Sequence, residues 1–536
     1  MIEKEIISGK EGFEALMKGV DVLADAVTST LGAAGRTVII EDPHGNPHVT
    51  KDGVTVANSI ILSDPVQNLG SMILKQASQK TANEAGDGTT TSCALAQDIV
   101  HQIYLEYDRI DNVHQVKLGM DGAVSDILGI LDKITIPVTD DSLVQVATIS
   151  ANGDRYIGEM IAEAYGKVGK SGIVTMDDSL TGSDYIHVTK GTRIKRGYGT
   201  PFSINNARNA SVEYNSPLIV LSDFKIDMHE RLHFAFEASI KQKRPLLIIS
   251  DLDDRVKLFI TQNVNKKNLT ANFISPEGIG INRFELLKDL ALMTGGRVMS
   301  EMAGDSIQGI DASYLGTCKQ MISDINETIL IFDEEENTER DETIAWLEDK
   351  IKTASKHDRY HYEDRLSKLS GGVATINLSG SSEVELKEKK DRVDDSIHAT
   401  KAALEEGIIP GGGSAFVYAF KLLIKKFETK AFSARLSDDF LLGYRMVVSA
   451  LLSPIDCIIS NAGLSDELTS EVIGSNKKNF GVNVLNGKFG DMVKMGIVDP
   501  VKVAKNAIKN SKSVAATLLT TSTVISNKRI SHESSR

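Results

Sequence analysis

Gly86-Asp87-Gly88-Thr89-Thr90-Thr91 carries the densest chemistry in the sequence. Paired glycines let a backbone pass close to a ligand, and three hydroxyl residues open the helical pattern that follows. The first turn of a helix offers unpaired N–H groups and the positive end of its dipole, a setting suited to phosphate. Asp87 is a hard oxygen donor for Mg²⁺, which binds through one or two carboxylates together with phosphate oxygens. A simple Asp/Thr helix cap accounts for the same hexapeptide without a ligand, and the residues alone leave both readings open.

Other sites are similar in kind. Thr30-Leu31-Gly32 closes the first helical pattern, Lys51-Asp52-Gly53 marks a turn, and Gly411-Gly412-Gly413 interrupts two late helices. Taken singly, each reads more readily as a cap or turn than as a ligand site. Asp499 precedes Pro500 and a helical run, where an acid caps a helix and a carboxylate can also bind ribose hydroxyls. Asp394 and Asp395 lie within the helical VDDSIHATKAALEEG, where surface acids are ordinary. Gly169-Lys170-Ser171 imitates the end of a P-loop, but the required first glycine is Ala164, and the following GIVTM reads as a strand where a P-loop needs a helix. That segment reads as a turn.

Positioning these residues falls to a chain of changing texture. Phe13, Leu16, Met17, Val20, Leu23, Ala24, Val27 and Leu31 recur at helical steps, predicting an amphipathic helix that stops at Gly32. RTVII at 36–40 and VTVA at 54–57 read as strands joined through the Lys51-Asp52-Gly53 turn. Helical patterning returns over 66–83 and 89–107. From about Gly191 to Gly372, strands such as SPLIVLSD and RPLLIISD alternate with helices, the pattern of an α/β region. Within it, 338–370 reads as a charged, solvated helical hairpin, and the last third of the chain is helical again.

A chain of 536 residues exceeds what one core supports, so about two to four domains are expected. Hydrophobic residues at 41% and charged residues at 25% describe an ordinary globular composition. The net charge of −13 argues against nucleic acid as the main partner, because phosphate backbones attract clustered Lys and Arg. The basic tail after Val524, ISNKRISHESSR, reads as a solvated end. Cys93, Cys318 and Cys457 lie far apart with no CxxC pair, which fits a reducing compartment and gives no metal site. MIEKEIISGK lacks the apolar core of a secretion signal, and the strongest apolar run, PLLIIS, is only strand length. A cytoplasmic protein without a membrane partner is expected.

Ordered stretches between about residues 10 and 520 carry a further reading. Among them are GVDVLADAVTSTLGAAGR, VTKDGVTVA, NEAGDGTTT, ATISANGD, KRGYGTPF, LSGGVATI, EVELKEKKDRVDDSIHATKAALEEG, PGGGSA and DMVKMGIVDPVKV. With these the sequence resembles the group I chaperonins, the bacterial GroEL type. The resemblance implies a multidomain α and α/β chaperonin fold. A helical equatorial ATPase domain would take 1–136 and 407–536, a small intermediate α+β domain 137–190 and 373–406, and an α/β apical domain 191–372. It implies an ATP-dependent chaperone for non-native proteins, built as a homo-oligomeric seven-fold ring and served by a co-chaperonin. ATP, Mg²⁺ and K⁺ are the implied ligands.

The same resemblance assigns roles. Thr30, Leu31, Gly32, Lys51, Asp87, Gly88, Thr89, Thr90 and Thr91 match the phosphate and cation side, with Asp87 on Mg²⁺ and the Thr30 and Lys51 backbones on a monovalent cation. Gly412, Asn483, Val484, Leu485 and Asp499 match the ribose and adenine side. Asp395 matches the acid that positions the attacking water, and Asp52 a second acid facing the terminal phosphate. Tyr198, Pro201, Phe202, Phe236 and Leu258 match the apolar client-binding face, while Pro137, Gly407, Gly191 and Gly372 match hinges.

Some positions depart from the pattern. Ala33-Ala34 replaces the usual Pro-Lys after TLG, Asp456 stands where many members carry a base that helps pair two rings, and the Gly-Met-rich tail is absent. Gly199, Ser203, His233, Gln262 and Asn263 fall at or beside client-face positions that are usually apolar. They raise an alternative, a diverged paralogue acting as a specialised binding or scaffold protein. A small-molecule kinase built on GDGTT is a third class, and it leaves the apical insert without a purpose.

Overall fold

The computed structural model describes residues 4–41, 45, 47–169, 172–179, 182–206, 210–305, 311–332, 337–353, 361, 362, 365, 366, 368–427, 429, 436–475 and 477–527. The tail beyond Asn527, the Lys170-Ser171 pair and residues 354–360 of the charged hairpin fall outside them. The chain forms two compact units, Met1–Ala162 with Leu378–Arg536, and Glu163–Asn377.

The first unit opens with α1 (Gly9–Thr28), whose predicted stripe is buried at Phe13, Leu16, Val20, Leu23, Ala24 and Val27. It ends one turn before Gly32. A hairpin of Val38–Glu41 and Pro47–Thr50 follows. The VTVA segment is helix, not strand: it lies in α2 (Gly53–Ser59). Asp52 caps that helix by accepting from the Val54 and Thr55 amides, and this local cap outweighs the β-preference of Val and Thr. Next come α3 (Pro65–Ala85), α4 (Thr89–Glu106), α5 (Val113–Ile134), α6 (Asp140–Ser150) and α7 (Arg155–Val168). α1 and α3 touch backbone to backbone, since a Cβ on Gly19 would sit 1.8 Å from the Gln67 carbonyl oxygen.

The second unit is α/β. Leu218–Ser222, Leu246–Ile249 and Ala271–Ile274 lie parallel beside Val298–Met299, with Leu315–Thr317 antiparallel on one edge. Leu218 and Val220 face one core while Ile219 and Leu221 face another. A sheet buried on both faces needs such continuous apolar runs, which is why SPLIVLSD and RPLLIISD show no alternation. Helices α8 (His233–Gln242), α9 (Asp254–Asn265), α10 (Ile281–Thr294) and α11 (Thr338–Thr353) belong to this unit. A second, six-stranded sheet contains Tyr185–Ile194 paired with Gly372–Leu378.

The chain then returns to the first unit through α12 (Glu383–Glu406), α13 (Ser414–Phe427), α14 (Asp438–Ser449), α15 (Ser453–Asn461), α16 (Glu467–Gly474) and α17 (Val501–Thr520). The stretch Asp438–Asn461 is long and apolar enough to cross a bilayer by composition, a feature absent from the sequence reading. Its apolar residues instead serve the core at Tyr444, Met446, Val447, Val448 and Leu451. Lys4–Ser8 and Thr523–Asn527 close the unit as an antiparallel ribbon.

Candidate functional site

The glycine-acid-threonine motif is a tight link between α3 and α4. Gly86 ends α3 at φ +76° and Gly88 precedes α4 at φ +93°, both in the left-handed region that side chains avoid. Gly88 provides no side-chain cap, so the first amides of α4 stay available at the positive end of its dipole. Thr89 Oγ1 is buried and has no hydrogen-bond partner among the described residues. Both features suit an oxyanion.

Around this link the distant segments converge. A Cβ on Gly53 would lie 2.5 Å from Thr90 Oγ1, which sets the Asp52 turn against the start of α4, and 3.3 Å from Val27, near the end of α1. Thr30 is buried, and the carbonyls of Thr28 and Leu31 both accept from Asn461 Nδ2, at 2.8 and 2.9 Å. Asn461 therefore fixes the Thr30-Leu31-Gly32 loop, a role invisible from a residue more than four hundred positions away. Lys51 is exposed beside this turn. Asp52 spends both carboxylate oxygens on the cap, at 3.0 Å from the Val54 amide and 2.7 Å from the Thr55 amide.

Asp499 enters from a short ribbon in which Ile409 pairs with Asp499, and a Cβ on Gly411 would lie 2.9 Å from its Oδ1. Burial pushes the Asp499 carboxyl up to about 6, the nearby Asp87 adds to the rise, and the Gly412 amide opposes it. Burial likewise raises Asp87, with the Gly88 amide opposing, Asp52 adding, and His398 and Ser150 pulling down. His398 and Ser150 were not foreseen among the site residues. Asp87 raises the Asp499 carboxyl and Asp52 raises that of Asp87, so acids gather around this link. Among the described residues no cluster of three or more His, Cys, Asp or Glu forms a protein-only metal cage. The carboxylate of Asp87 beside a helix start is a donor set that fits Mg²⁺, which takes one or two carboxylates and completes its shell with phosphate and water.

The nucleoside side is joined more loosely. Cβ atoms on Gly412 and Gly481 would lie 3.0 and 2.7 Å from Met492, which brings the glycine turn beside the Phe480–Asn483 strand. Asn483 directs its side-chain oxygen to the Leu485 amide at 3.0 Å, Val484 packs into a small apolar cluster, and Leu485 is 69% exposed. Asp395 sits half-buried on α12. On that helix Ala402 packs with Ala85 and Val503, next to the glycine link.

The proposed hinge residues lie at strand crossings. Ile136 and Ile408 exchange two backbone hydrogen bonds, at 2.8 and 2.9 Å, beside Pro137 and Gly407. Gly191 and Gly372 occupy the neighbouring strands Tyr185–Ile194 and Gly372–Leu378, and a Cβ on Gly191 would lie 2.2 Å from Val373.

In the second unit, Phe202 and Leu258 are 55% and 58% exposed, Pro201 is exposed and Tyr198 half-buried. The Pro201–Ser203 turn packs against α9. Phe236 is buried in the core against Phe259, so it supports this face from beneath. Phe234 and Ile240 are exposed on α8 and were missed, because helical spacing alone does not say which apolar residues are covered. Ser203 is buried and donates to the Ala271 carbonyl at 2.7 Å. A side chain at Gly199 would meet the Phe273 ring at 2.2 Å, and its amide donates to Asn272 Oδ1. Ser203 is thus an internal fitting and Gly199 an exposed but sterically tight position, whereas His233 and Gln262 are polar residues shown to solvent.

The sequence matches the TCP-1/cpn60 chaperonin family over residues 23–529. The chain belongs to that family. The chaperonin is 38% identical over 527 residues to the mitochondrial chaperonin homologue Hsp-60 of Caenorhabditis elegans, covering 97% of this chain and 92% of the relative. Its fold matches crystal structures of the chaperonin gp146 from bacteriophage EL 2 of Pseudomonas aeruginosa, in presence of ATP-BeFx. The TM-scores are 0.72 and 0.65 at 24% and 23% identity, with 98% of this chain and 99% of that one aligned. The group I resemblance and the chaperonin fold both hold. This chaperonin is an ATP-dependent chaperone that acts in an oligomeric ring and binds substrate proteins.

Proposed function

We propose that this chaperonin hydrolyses Mg-ATP in the cradle between the α3–α4 link, the Asp52 turn and the Asp499 ribbon, and uses that cycle to capture and release non-native proteins. The observation that carries the reading is a pair of half-buried carboxylates, Asp87 and Asp499, beside the uncapped start of α4. Amides of Gly88 through Thr91 and the Thr89 hydroxyl would hold phosphate oxygens, with Asp87 as the metal carboxylate. Bound Mg²⁺ supplies neutralisation of phosphate charge. The Thr30 and Lys51 backbones are the proposed donors to K⁺, and Gly412, Asn483, Val484, Leu485 and Asp499 the proposed bed for the nucleoside. Asp395 would orient the attacking water, with Asp52 as the second acid, so that charge is met by fixed dipoles as it develops.

The equatorial, intermediate and apical boundaries given above, the four hinge residues, a seven-fold ring and a co-chaperonin belong to the same proposal. The apolar face around Phe202 and Leu258 is the proposed client surface. Asp395→Ala tests the site: turnover should fall about 10²–10⁴-fold, the scale of a positioned acid–base group, while Mg-ATP still binds by calorimetry. An unchanged steady-state rate would remove Asp395 from the reaction. No binding heat from well-folded wild-type protein at millimolar Mg-ATP would remove the cradle.

A further inference from the structure

We propose that His398 is a positioning residue for turnover: its ring wedges α12 against the Gly86 turn and so fixes where Asp395 stands. The inference rests on Asp395 being the acid proposed above. Asp395, His398 and Ala402 follow i, i+3, i+7 spacing and share one stripe of α12. Ala402 packs with Ala85 and Val503 at one end of that stripe. One turn earlier, a Cβ on Gly86 would lie 2.2 Å from His398 Cβ, 2.8 Å from Cγ and 3.1 Å from Cδ2. The turn's backbone and the histidine are therefore in direct contact, with no room for any residue larger than glycine at position 86. Asp395 precedes His398 by three residues, about 4.5 Å along the axis. The order Ala402 on Ala85, then His398 on Gly86, carries Asp395 towards Asp87 and Gly88.

The ring is anchored at its base, while much of the side chain stays exposed to solvent. Nδ1 lies 2.9 Å from the Asp394 carbonyl oxygen of its own helix, so Nδ1 carries the proton and the imidazole extends the helix as a rigid part. The atoms that meet the turn are carbons, Cβ nearest and the ring carbons Cγ and Cδ2 behind it. A steric spacer suffices for this contact, and the pull of the imidazole on the Asp87 carboxyl is a separate effect. A displacement of about 1 Å in a reacting group costs on the order of 10²-fold in rate, so a loosened spacer reads out in turnover before it reads out in affinity.

The experiment compares His398→Ala and His398→Phe with Asp395→Ala in assembled protein, measuring steady-state ATP turnover and calorimetric Mg-ADP affinity. His398→Ala should lower kcat about tenfold or more with Kd within about twofold. His398→Phe should recover most of that loss, because it keeps the wedge and discards both nitrogens. An unchanged kcat in His398→Ala overturns the proposal. So does a phenylalanine variant that is slow, a result that stands even where the alanine variant fails to assemble. If Asp395→Ala is slow while His398→Ala is not, this inference alone falls; if Asp395→Ala turns over normally, the inference and the Asp395 assignment fall together.

Discussion

The cradle in the first unit and the outward face of the second are built on opposite terms. In the cradle, charged groups are taken out of water, backbone conformations are ones only glycine adopts freely, and neighbouring atoms stand within 3 Å of where a side chain would begin. On the outward face, Phe202, Ile240 and Leu258 each leave more than half of their surface in solvent. The first arrangement recognises one shape and tolerates almost no change. The second offers apolar area without defined partners, which suits ligands with no fixed sequence. Precision and permissiveness are thus placed in separate compact units.

Substitutions can break or sharpen that contrast. The largest effect is expected from Gly88→Ala, whose Cβ would meet Val503 at 2.6 Å in a left-handed conformation. It should lower kcat/KM for ATP by about 10²-fold, read by steady-state hydrolysis. Near-normal kinetics would mean the cradle is softer than its geometry implies. Next, Phe202→Ser with Leu258→Ser should weaken capture of a denatured model protein by about 10–10²-fold while leaving ATP turnover alone. Each such side chain contributes roughly 1.5–3 kcal/mol when fully covered, and less here because coverage is partial. Equal capture by the double variant would move the client surface elsewhere.

A smaller effect separates the two regions by pH. The Asp499 carboxyl is raised to about 6 in the folded protein, so above that value the folded state carries a partly desolvated charge that the unfolded state solvates freely. Without nucleotide, Asp499→Asn should be more stable than wild type at pH 7.5 by about 1–3 kcal/mol, and the gap should close as pH falls through 6 towards 4. Chemical denaturation at several pH values measures it, and a gap independent of pH would refute the cause. Smallest of all, Ser203→Ala removes the hydrogen bond to the Ala271 carbonyl together with the contact to Tyr214, and should cost about 1 kcal/mol of stability with no change in client capture. A change in capture would return Ser203 to the binding surface.

What the sequence disclosed follows the range of the forces involved. Helix α4 and its open start were legible because the signals are local: two glycines, an acid and three threonines in a row. The buried sheet of the second unit was legible from its unbroken apolar runs. VTVA was misread because a single carboxylate two residues upstream decides the backbone there. Asn461, Ser150 and His398 were illegible for the opposite reason, since each acts on a segment brought near only by folding. Ser203 and Gly199 looked like losses to the client face until Ala271 and Phe273 supplied their partners. Resemblance proposed the site residues; it did not reveal which of their neighbours hold them in place.

The ribbon that ties Lys4–Ser8 to Thr523–Asn527 has a consequence for how the polypeptide matures. Residues 163–377 are continuous, so that unit has every residue it needs once the ribosome has passed its end. The other unit waits with its first half already made, because its partner strand is synthesised after the whole of residues 163–377. From residue 162 to residue 527 at about 5–20 residues per second, that delay is on the order of 20–70 s. Throughout it the apolar side of α1 stands without α17 and without the closing strand, so a nascent chaperone spends its own synthesis as the kind of incomplete chain it later shelters.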